Sequence, residues 1–433
     1  MQEVIEYFEA ICQIPHCSFD TQQMREFIVD FALENQCEVK VDSVGNIHAY
    51  KGNPTLCLQS HYDMVCMGEA PRVEMYEDEG YLKAKNSSLG ADNGIGVAIM
   101  LVALKRFQNI ECLFTNDEEV GLVGANGLEH RLIAKNLLNL DCENEEDVTI
   151  SCAGGVDVFA QMPYGYQKKT GSLYEVEVVG LRGGHSGVDI VTNPTNAIKT
   201  LASFIAKNGG EIIEFNGGER INSIPKYAKA KVIFPHQMEE GKNIELRFLG
   251  VQEVDVCDHS QRLLQMINSF AHGLRSYDLT LGIVKTSINL AMVKMQDKMI
   301  RLELFARSNE ADGLYQIEFE TLEFFKAFGC MVQSDNFYLP WEAKESAFAH
   351  QVLDAMHVSI PTAKFYAIHA GLECGVIGAK QEGLECCSIG PNIYNPHSTS
   401  ERCEIRSVEK IARVVFDLIG ANENTIESQK SMN

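Results

Sequence analysis

The chain has 433 residues and carries 37 basic against 60 acidic side chains, which gives a formal net charge of −23. A chain with this much negative charge repels the phosphate backbones of nucleic acids, and its sequence has no stretch rich in both basic and aromatic residues that would offset the charge. We therefore expect no nucleic-acid partner. The chain has neither an apolar run long enough to cross a bilayer nor a signal-peptide pattern at its N-terminus, so we expect no membrane partner and a cytoplasmic location.

The chain begins with two amphipathic patterns that predict helices at roughly 2–13 and 21–35. Apolar runs of strand length then alternate with helical patterns, which is typical of an α/β fold with a mostly parallel central sheet. We place the first part of a catalytic domain at residues 1–172.

Three of the predicted strands end abruptly in polar residues. The apolar runs 55–59, 110–114 and 137–140 lead into the sequences Ser-His-Tyr-Asp, Thr-Asn-Asp-Glu-Glu and Asp-Cys-Glu. In open α/β sheets, ligands bind where the carboxyl ends of the strands meet the loops. The three strand ends therefore predict one shared site.

The pattern changes near residue 173. An alternating strand at 174–179, a glycine-rich turn at 182–187 and an amphipathic helix at 196–206 begin a segment in which strands and helices are mixed. We predict a second, α+β domain at residues 173–337. Because α/β character returns at residues 338–433, this domain is predicted to be an insertion within the first.

The 14 cysteines include no Cys-x-x-Cys pair, which argues against a structural zinc knuckle. Disulfides are rare in cytoplasmic proteins, so we expect none. Most of the thiols are assigned to the core as small hydrophobic side chains.

Side chains that bind metals are concentrated in the loops after the three strands. Imidazoles and carboxylates hold zinc, and two-metal hydrolases add a carboxylate that bridges both ions. In His61-x-Asp63 the imidazole can ligate a metal while the carboxylate fixes the ring through its other nitrogen. Asp92 lies among small residues in Leu-Gly-Ala-Asp-Asn-Gly-Ile-Gly and is the candidate bridge.

The other candidates follow the second and third strands or come from the far end of the chain. Glu118 and Glu119 are adjacent, so one can ligate a metal while the other handles protons. Asp141 ends the third strand, and His397 lies in Asn-Pro-His-Ser. Each motif alone is more often a surface pair, a solvated turn or a helix cap. Their occurrence at three successive strand ends favours a metal site.

Nine short motifs, in order along nearly the whole chain, resemble those of the aminoacyl-histidine dipeptidases, the peptidase D branch of a clan of co-catalytic zinc peptidases. They are SHYDM, SLGADNGIG, TNDEEVG, LLNLDCE, CAGG, LRGGHSG, INSIP, HAGLECG and SIGPNIYNPHS. The clan also includes carnosinases, glutamate carboxypeptidases and aminoacylases. The resemblance implies a zinc-peptidase catalytic domain with an inserted lid, and a dipeptidase that hydrolyses Xaa-His dipeptides.

The resemblance also implies roles at matching positions. It predicts two divalent metal ions, with zinc expected and manganese or cobalt as alternatives for the same ligands. One ion would be held by His61, Asp92 and Asp141, and the other by Asp92, Glu119 and His397. Asp63 would orient the ligands, and Glu118 would act as the general base.

Four further residues match family positions that contact the substrate. His185, in Gly-Gly-His-Ser-Gly, corresponds to the lid histidine that polarises the scissile carbonyl and stabilises the oxyanion. Asn222 and Arg307 correspond to lid residues that bind the C-terminal side of the substrate, and Gly371 lies in a substrate-contacting loop. The alternatives are a capping or packing role for His185 and a surface salt bridge for Arg307.

Two alternatives to a dipeptidase are open at this point. The same site would serve an N-acyl amino-acid deacylase or a carboxypeptidase, and the fold would also suit a catalytically inactive metal-binding scaffold. The presence of every candidate ligand and of Glu118 argues against the scaffold. We expect a short peptide as substrate and a monomer or a homodimer, in which His185 would serve its own or a partner's site.

Overall fold

The computed structural model describes residues 2–279 and 282–430. It divides into two units, and most of the second unit is one long insertion in the chain of the first. Unit 1 comprises Met1–Ser151, Ala343–Ala367 and Leu372–Asn433, and unit 2 comprises Cys152–Glu342 and Ile368–Gly371. The insertion thus begins after Ser151, earlier than the boundary predicted at 172/173, and ends after Glu342 rather than at 337.

The described residues form ten α-helices, one 3-10 helix and 23 strands. The helices are α1 (Gln2–Cys12), α2 (Gln22–Glu34), α3 (Ala91–Arg106), α4 (Val123–Gly127), α5 (Ala197–Lys207), α6 (Ser260–Ser269), α7 (Ala311–Ala327), α8 (Ala347–His357), α9 (Glu373–Lys380) and α10 (Ile405–Lys430), with the 3-10 helix at Ile190–Thr192. The strands are β1 (Glu38–Val41), β2 (Ile47–Lys51), β3 (Leu56–His61), β4 (Met75–Asp78), β5 (Tyr81–Ala84), β6 (Ile110–Thr115), β7 (Asn136–Asn139), β8 (Asp147–Cys152), β9 (Gly154–Pro163), β10 (Tyr166–Val178), β11 (Gly184–His185), β12 (Glu211–Gly217), β13 (Ser223–Ile224), β14 (Ala228–Phe234), β15 (Ile244–Cys257), β16 (Gly273–Asp278), β17 (Ile283–Gln296), β18 (Met299–Ser308), β19 (Met331–Tyr338), β20 (Lys364–Ile368), β21 (Glu385–Ser388), β22 (Ile393–Tyr394) and β23 (Arg402–Glu404).

Unit 1 is built on an eight-stranded sheet in the order β1-β2-β6-β3-β7-β21-β8-β20. The four central strands, β6, β3, β7 and β21, pair in parallel. The β1-β2, β2-β6 and β21-β8 pairs are antiparallel, so the predicted parallel arrangement holds for the centre of the sheet and not for its edges. Every residue of β3 and β6 is buried, as expected for strands covered on both faces.

Helices cover this sheet. Helix α3 is almost entirely buried, which its apolar sequence after the first turn explains, and it contacts α1 and α10. The predicted N-terminal helices at 2–13 and 21–35 correspond to α1 and α2 within a residue at each end. None of the described helices is long and apolar enough to span a membrane.

Unit 2 is built on an antiparallel sheet in the order β15-β10-β14-β12-β17-β18-β9-β19, with β16 paired to β17. Strand β9 explains why the unit begins earlier than predicted. It pairs along its length with β18 and with β19, which are distant in sequence, and its alternate residues from Val156 to Met162 are in the core of unit 2. Such long-range pairing cannot be inferred from the local pattern.

One prediction about the cysteines is wrong. Cys17 and Cys66 form a disulfide, with their Cα atoms 5.5 Å apart, although no disulfide was expected. A bridge pairing between Cys17 and Met64 brings the loop after α1 beside the segment after β3, and this contact unites the two thiols. Of the other twelve cysteines, all but Cys142 are buried, in agreement with the core role predicted for them.

Candidate metal centre and substrate-binding residues

Three of the candidate ligands in unit 1, together with Glu118, lie at or just after the carboxyl ends of three neighbouring parallel strands. His61 is the last residue of β3 and lies opposite Thr115, the last residue of β6. Glu118 and Glu119 follow β6 within four residues, and Asp141 follows β7 by two. The parallel pairing brings these three loops to one edge of the sheet, as the sequence predicted.

A first ligand group joins His61, Asp92 and Asp141. Nε2 of His61 lies 3.2 Å from Oδ1 of Asp92 and 3.3 Å from Oδ1 of Asp141. The imidazole is almost completely buried. One donor atom from each residue lies within 4.8 Å of the other two, which is close enough for all three to hold one metal ion.

A second ligand group joins Asp92, Glu119 and His397. Nε2 of His397 lies 3.1 Å from Oδ2 of Asp92 and 2.8 Å from Oε1 of Glu119. Asp92 thus belongs to both groups and presents one carboxylate oxygen to each, the geometry of a bridging ligand. His61 also lies within 4.8 Å of donor atoms of Glu118 and Glu119, so the two groups form one continuous cluster.

The protonation behaviour of the cluster reflects crowded, buried carboxylates. Burial, followed by the charge of Asp92, raises the pKa of Glu119 to about 7. Burial also raises the pKa of Asp141 and holds that of Glu118 well above its ordinary value. Burial opposes the charged form of His397, but Asp92 and Glu119 outweigh it and raise the pKa of this imidazole to about 11. The cluster strongly favours positive charge, and its imidazole and carboxylate donors fit two divalent cations.

Asp63 supports the cluster in two ways. Its Oδ1 accepts the main-chain N–H of Glu118 at 2.9 Å, and its Oδ2 accepts that of Glu119 at 3.3 Å and the hydroxyl of Ser18 at 2.8 Å. Nδ1 of His61 lies 3.0 Å from the Asp63 carbonyl oxygen and 3.4 Å from its Oδ1. The predicted contact between ring and carboxylate is therefore longer than the one between ring and main chain, and the carboxylate chiefly holds the loop of the two glutamates.

Sequence reasoning missed two buried glutamates beside the cluster. Glu373, in the motif HAGLECG, accepts hydrogen bonds from Gln59 Nε2 at 2.5 Å and from Thr115 Oγ1 at 2.7 Å. Burial, the largest effect, raises its pKa to about 7. Glu401, four residues after His397, accepts main-chain hydrogen bonds from the loop that carries Asp92. Glu373 lies in the same motif as Gly371, and Glu401 lies three residues after the motif that contains His397, so closeness in sequence to candidate site residues was the available signal.

Unit 2 brings three of its four candidate residues into one neighbourhood. Strand β11 pairs with β13, which places His185 opposite Ser223, and the Asn222 carbonyl accepts the amide of Ser186 at 2.8 Å. Nη2 of Arg307 lies 3.5 Å from Nε2 of His185.

The environment of each side chain suits a polar ligand. The amides of Gly187 and Val188 donate to Nδ1 of His185 at 3.3 and 3.2 Å, so a neutral ring carries its proton on Nε2. The Arg307 side chain is buried, and its Nε has no hydrogen-bond partner among the described residues. It is therefore not the surface salt bridge considered as an alternative.

Gly371 ends the short segment Ile368–Gly371 that belongs to unit 2. His369 fixes this segment, since its Nδ1 lies 2.8 Å from Asn309 Oδ1 and its Nε2 lies 2.8 Å from Ser287 Oγ. A methyl group at Gly187 would lie only 2.4 Å from the His369 carbonyl oxygen, so the segment is packed directly against the loop of His185.

Comparison with known proteins gives consistent matches over the chain. Residues 57–421 match the sequence profile of peptidase family M20/M25/M40. The cytosol non-specific dipeptidase of Escherichia coli K12 is 30% identical over 476 residues, covering 96% of this chain and 97% of that protein.

Among solved structures, an aminoacylhistidine dipeptidase from Vibrio alginolyticus matches with a TM-score of 0.79 and 28% identity, covering 97% of this chain and 96% of that one. The aminopeptidase PepT of Bacillus cereus ATCC 10987 matches with a TM-score of 0.59 and 17% identity, covering 96% and 97%, and shares the fold. These similarities confirm the fold class and the resemblance inferred from the nine motifs.

Proposed function

Because the chain belongs to peptidase family M20/M25/M40, we propose that it is a metal-dependent dipeptidase whose centre binds two divalent ions. The observation that carries this proposal is the position of Asp92, whose two oxygens face different imidazoles, 3.2 Å from His61 and 3.1 Å from His397. Both ligand groups consist of imidazole and carboxylate donors, so zinc is the first candidate, with manganese or cobalt as alternatives.

Two bound divalent ions supply Lewis acidity, which lowers the pKa of water and polarises a peptide carbonyl. The protein supplies the proton transfers. Glu118 accepts the proton of the attacking water and returns it to the leaving amine. Its burial raises the pKa of the carboxyl well above its ordinary value, which favours uptake of a proton. Asp63 holds the main chain of Glu118 in place for both transfers.

His185 and Arg307 are assigned to the substrate. With Nδ1 occupied by two main-chain amides, His185 can donate its Nε2 proton to the oxyanion that forms at the scissile carbonyl. The guanidinium of Arg307 is buried, and its Nε donor has no hydrogen-bond partner among the described residues. A guanidinium binds a carboxylate through two parallel hydrogen bonds. A free C-terminal carboxylate is therefore the substrate group that we assign to Arg307, and we assign Asn222 and Gly371 to the substrate as further contacts.

The relatives' names favour dipeptides and suggest two specificities. The Vibrio alginolyticus protein is named for aminoacyl-histidine substrates, and the Escherichia coli protein is named a non-specific dipeptidase of the cytosol. We propose Xaa-His dipeptides as preferred substrates and the cytoplasm as the location.

The test is a substrate panel with the zinc-loaded protein. It compares Xaa-His dipeptides, other dipeptides, tripeptides, C-terminally amidated dipeptides and N-acetyl amino acids. We expect dipeptides with a free carboxylate to be hydrolysed fastest. Faster hydrolysis of N-acetyl amino acids would instead establish the deacylase, and hydrolysis of long peptides from the C-terminus would establish the carboxypeptidase. A protein that binds two metal ions and hydrolyses none of the panel would be the inactive scaffold.

A further inference from the structure

The carboxylate of Glu401 accepts hydrogen bonds from four consecutive main-chain amides. Its Oε2 lies 2.7 Å from the amide of Leu89 and 3.0 Å from that of Gly90. Its Oε1 lies 2.9 Å from the amide of Ala91 and 3.4 Å from that of Asp92. Glu401 is only 3% exposed, so water cannot readily replace it as the acceptor.

Two of these amides, those of Ala91 and Asp92, belong to the first turn of helix α3, and the first amides of a helix have no acceptor within the helix itself. Asp92 also has non-helical dihedral angles, so its amide is outside the regular hydrogen-bonding pattern of the helix. Gly90 precedes the helix with φ +72°, and because it has no side chain it cannot supply a side-chain acceptor to these amides. Glu401 fills that role from 311 residues away in sequence, and its negative charge is favourable at the positive end of the helix.

The same glutamate is also attached to the segment that carries His397. His397 lies four residues earlier, and the Glu401 amide donates to the Ser398 carbonyl at 3.2 Å. Strand β23 begins immediately after Glu401 and pairs with β5, with Arg402 opposite Lys83. Glu401 therefore joins the backbone that carries Asp92 to the backbone that carries His397.

We propose that Glu401 is a positioning residue that fixes Asp92 relative to His397 and so sets the geometry in which one carboxylate bridges two metal ions. This inference rests on the proposed metal centre. Both oxygens of Glu401 are occupied by amides, so it acts through Asp92 and does not itself bind a metal.

Two substitutions at Glu401 test separately the charge of the side chain and its length. Glu401→Gln keeps the size but turns one oxygen into an N–H donor, which faces two amides that are also donors. Glu401→Asp keeps the charge but is shorter by one methylene, so it cannot reach all four amides. Glu385→Gln is the matched control, because Glu385 Oε2 accepts the Phe348 amide at the start of α8, at 3.2 Å, and lies outside the cluster.

The experiment loads each variant with Co²⁺ and follows its absorption and electron paramagnetic resonance spectra, then withdraws the metal with increasing chelator. In the wild type we expect two ions with magnetic coupling through the shared carboxylate. In Glu401→Gln we expect the coupling to be lost and one ion to bind about 10- to 100-fold more weakly, the range typical of supporting residues around a metal. We expect Glu401→Asp to be intermediate and Glu385→Gln to match the wild type.

The metal-free proteins are compared by thermal unfolding, and each affinity is expressed per folded molecule. If Glu401→Gln shows the same magnetic coupling and the same metal affinity per folded molecule as the wild type, the inference is overturned. Any loss of stability in that variant would then reflect a purely structural role. Failure of the wild type itself to bind two Co²⁺ ions would instead overturn the proposed metal centre, so the two failures are distinguishable.

Discussion

Oδ1 of Asp63 accepts the main-chain N–H of Glu118 at 2.9 Å, so the residue that supports the His61 loop also holds the backbone of the proposed general base. The same carboxylate accepts the amide of Glu119 and the hydroxyl of Ser18. Burial opposes its charge, yet the hydrogen bonds from His61, Glu118 and Ser18 lower the pKa of Asp63 below its ordinary value. Asp63 is therefore an anion that holds the loop of His61 and the loop of Glu118 and Glu119 at once.

Replacing Asp63 tests this double role. We expect Asp63→Ala to lower kcat about 10- to 100-fold, because supporting residues around a metal have effects of this size, with little change in KM. Asp63→Asn should be milder, since its amide oxygen can still accept one main-chain N–H. Ser18→Ala removes only one of the hydrogen bonds and is the control. Steady-state kinetics on one dipeptide measures all three, and a full loss of activity in Ser18→Ala would contradict the assignment.

Replacing the adjacent glutamates tests their division of labour. We expect Glu118→Gln to retain both metal ions while kcat falls by about 10²- to 10⁴-fold, the usual contribution of a general base. Glu119→Gln should lose metal, because Glu119 Oε1 lies 2.8 Å from His397 in the second ligand group. Metal analysis beside single-turnover kinetics distinguishes the two variants. Equal metal loss in both would show that the roles are not divided in this way.

The sequence predicts the part of the site that depends on local pattern and sheet geometry. Strands β3, β6 and β7 are short apolar runs with sharp polar ends, so parallel pairing alone brings His61, Glu119 and Asp141 together. The approach of His397 to Asp92 could not be derived in this way. It depends on the Glu401 carboxylate and on the pairing of β23 with β5, both of which join parts of the chain about 300 residues apart.

The same limit explains why the structure places the start of unit 2 earlier than the predicted boundary, and why the disulfide was not expected. Residues 154–163 have the alternation of a strand, but the local pattern does not say which sheet that strand joins, and its partners are β18 and β19. The disulfide depends on the contact between the Cys17 loop and the segment after β3. The sequence offered only the argument that disulfides are rare in the cytoplasm, and that argument says nothing about which cysteines lie close together.

His369 makes the stability of unit 2 sensitive to acid. Burial, followed by the charges of Arg307 and His185, lowers the pKa of His369 to about 3, whereas an unfolded histidine titrates near 6.5. Between these values the unfolded chain binds more protons, so the contribution of His369 is fully present above pH 6.5 and is lost as the pH falls towards 3. One such group changes the free energy of unfolding by at most about 1.4 kcal/mol per pH unit.

The measurement is urea unfolding of the metal-free protein between pH 4 and 7. We expect His369→Gln, which can still bond to Asn309 and Ser287, to show a shallower decline of stability with acid than the wild type. His350→Gln is the control, because His350 is exposed. Parallel pH profiles for the wild type and His369→Gln would show that this histidine is not responsible.

Replacing Arg307 tests the proposed recognition of the substrate carboxylate. Arg307→Lys keeps the positive charge but loses the planar pair of donors, so we expect KM for dipeptides to rise about 10- to 100-fold, as charge-assisted hydrogen bonds are worth about 1.5–3 kcal/mol. Dipeptide amides lack the carboxylate, so the wild type should already hydrolyse them poorly, and the substitution should change their KM little. Steady-state kinetics with matched acid and amide substrates gives both values. A similar rise in KM for the acid and the amide would mean that Arg307 supports the loop of His185, 3.5 Å away, instead of binding the carboxylate.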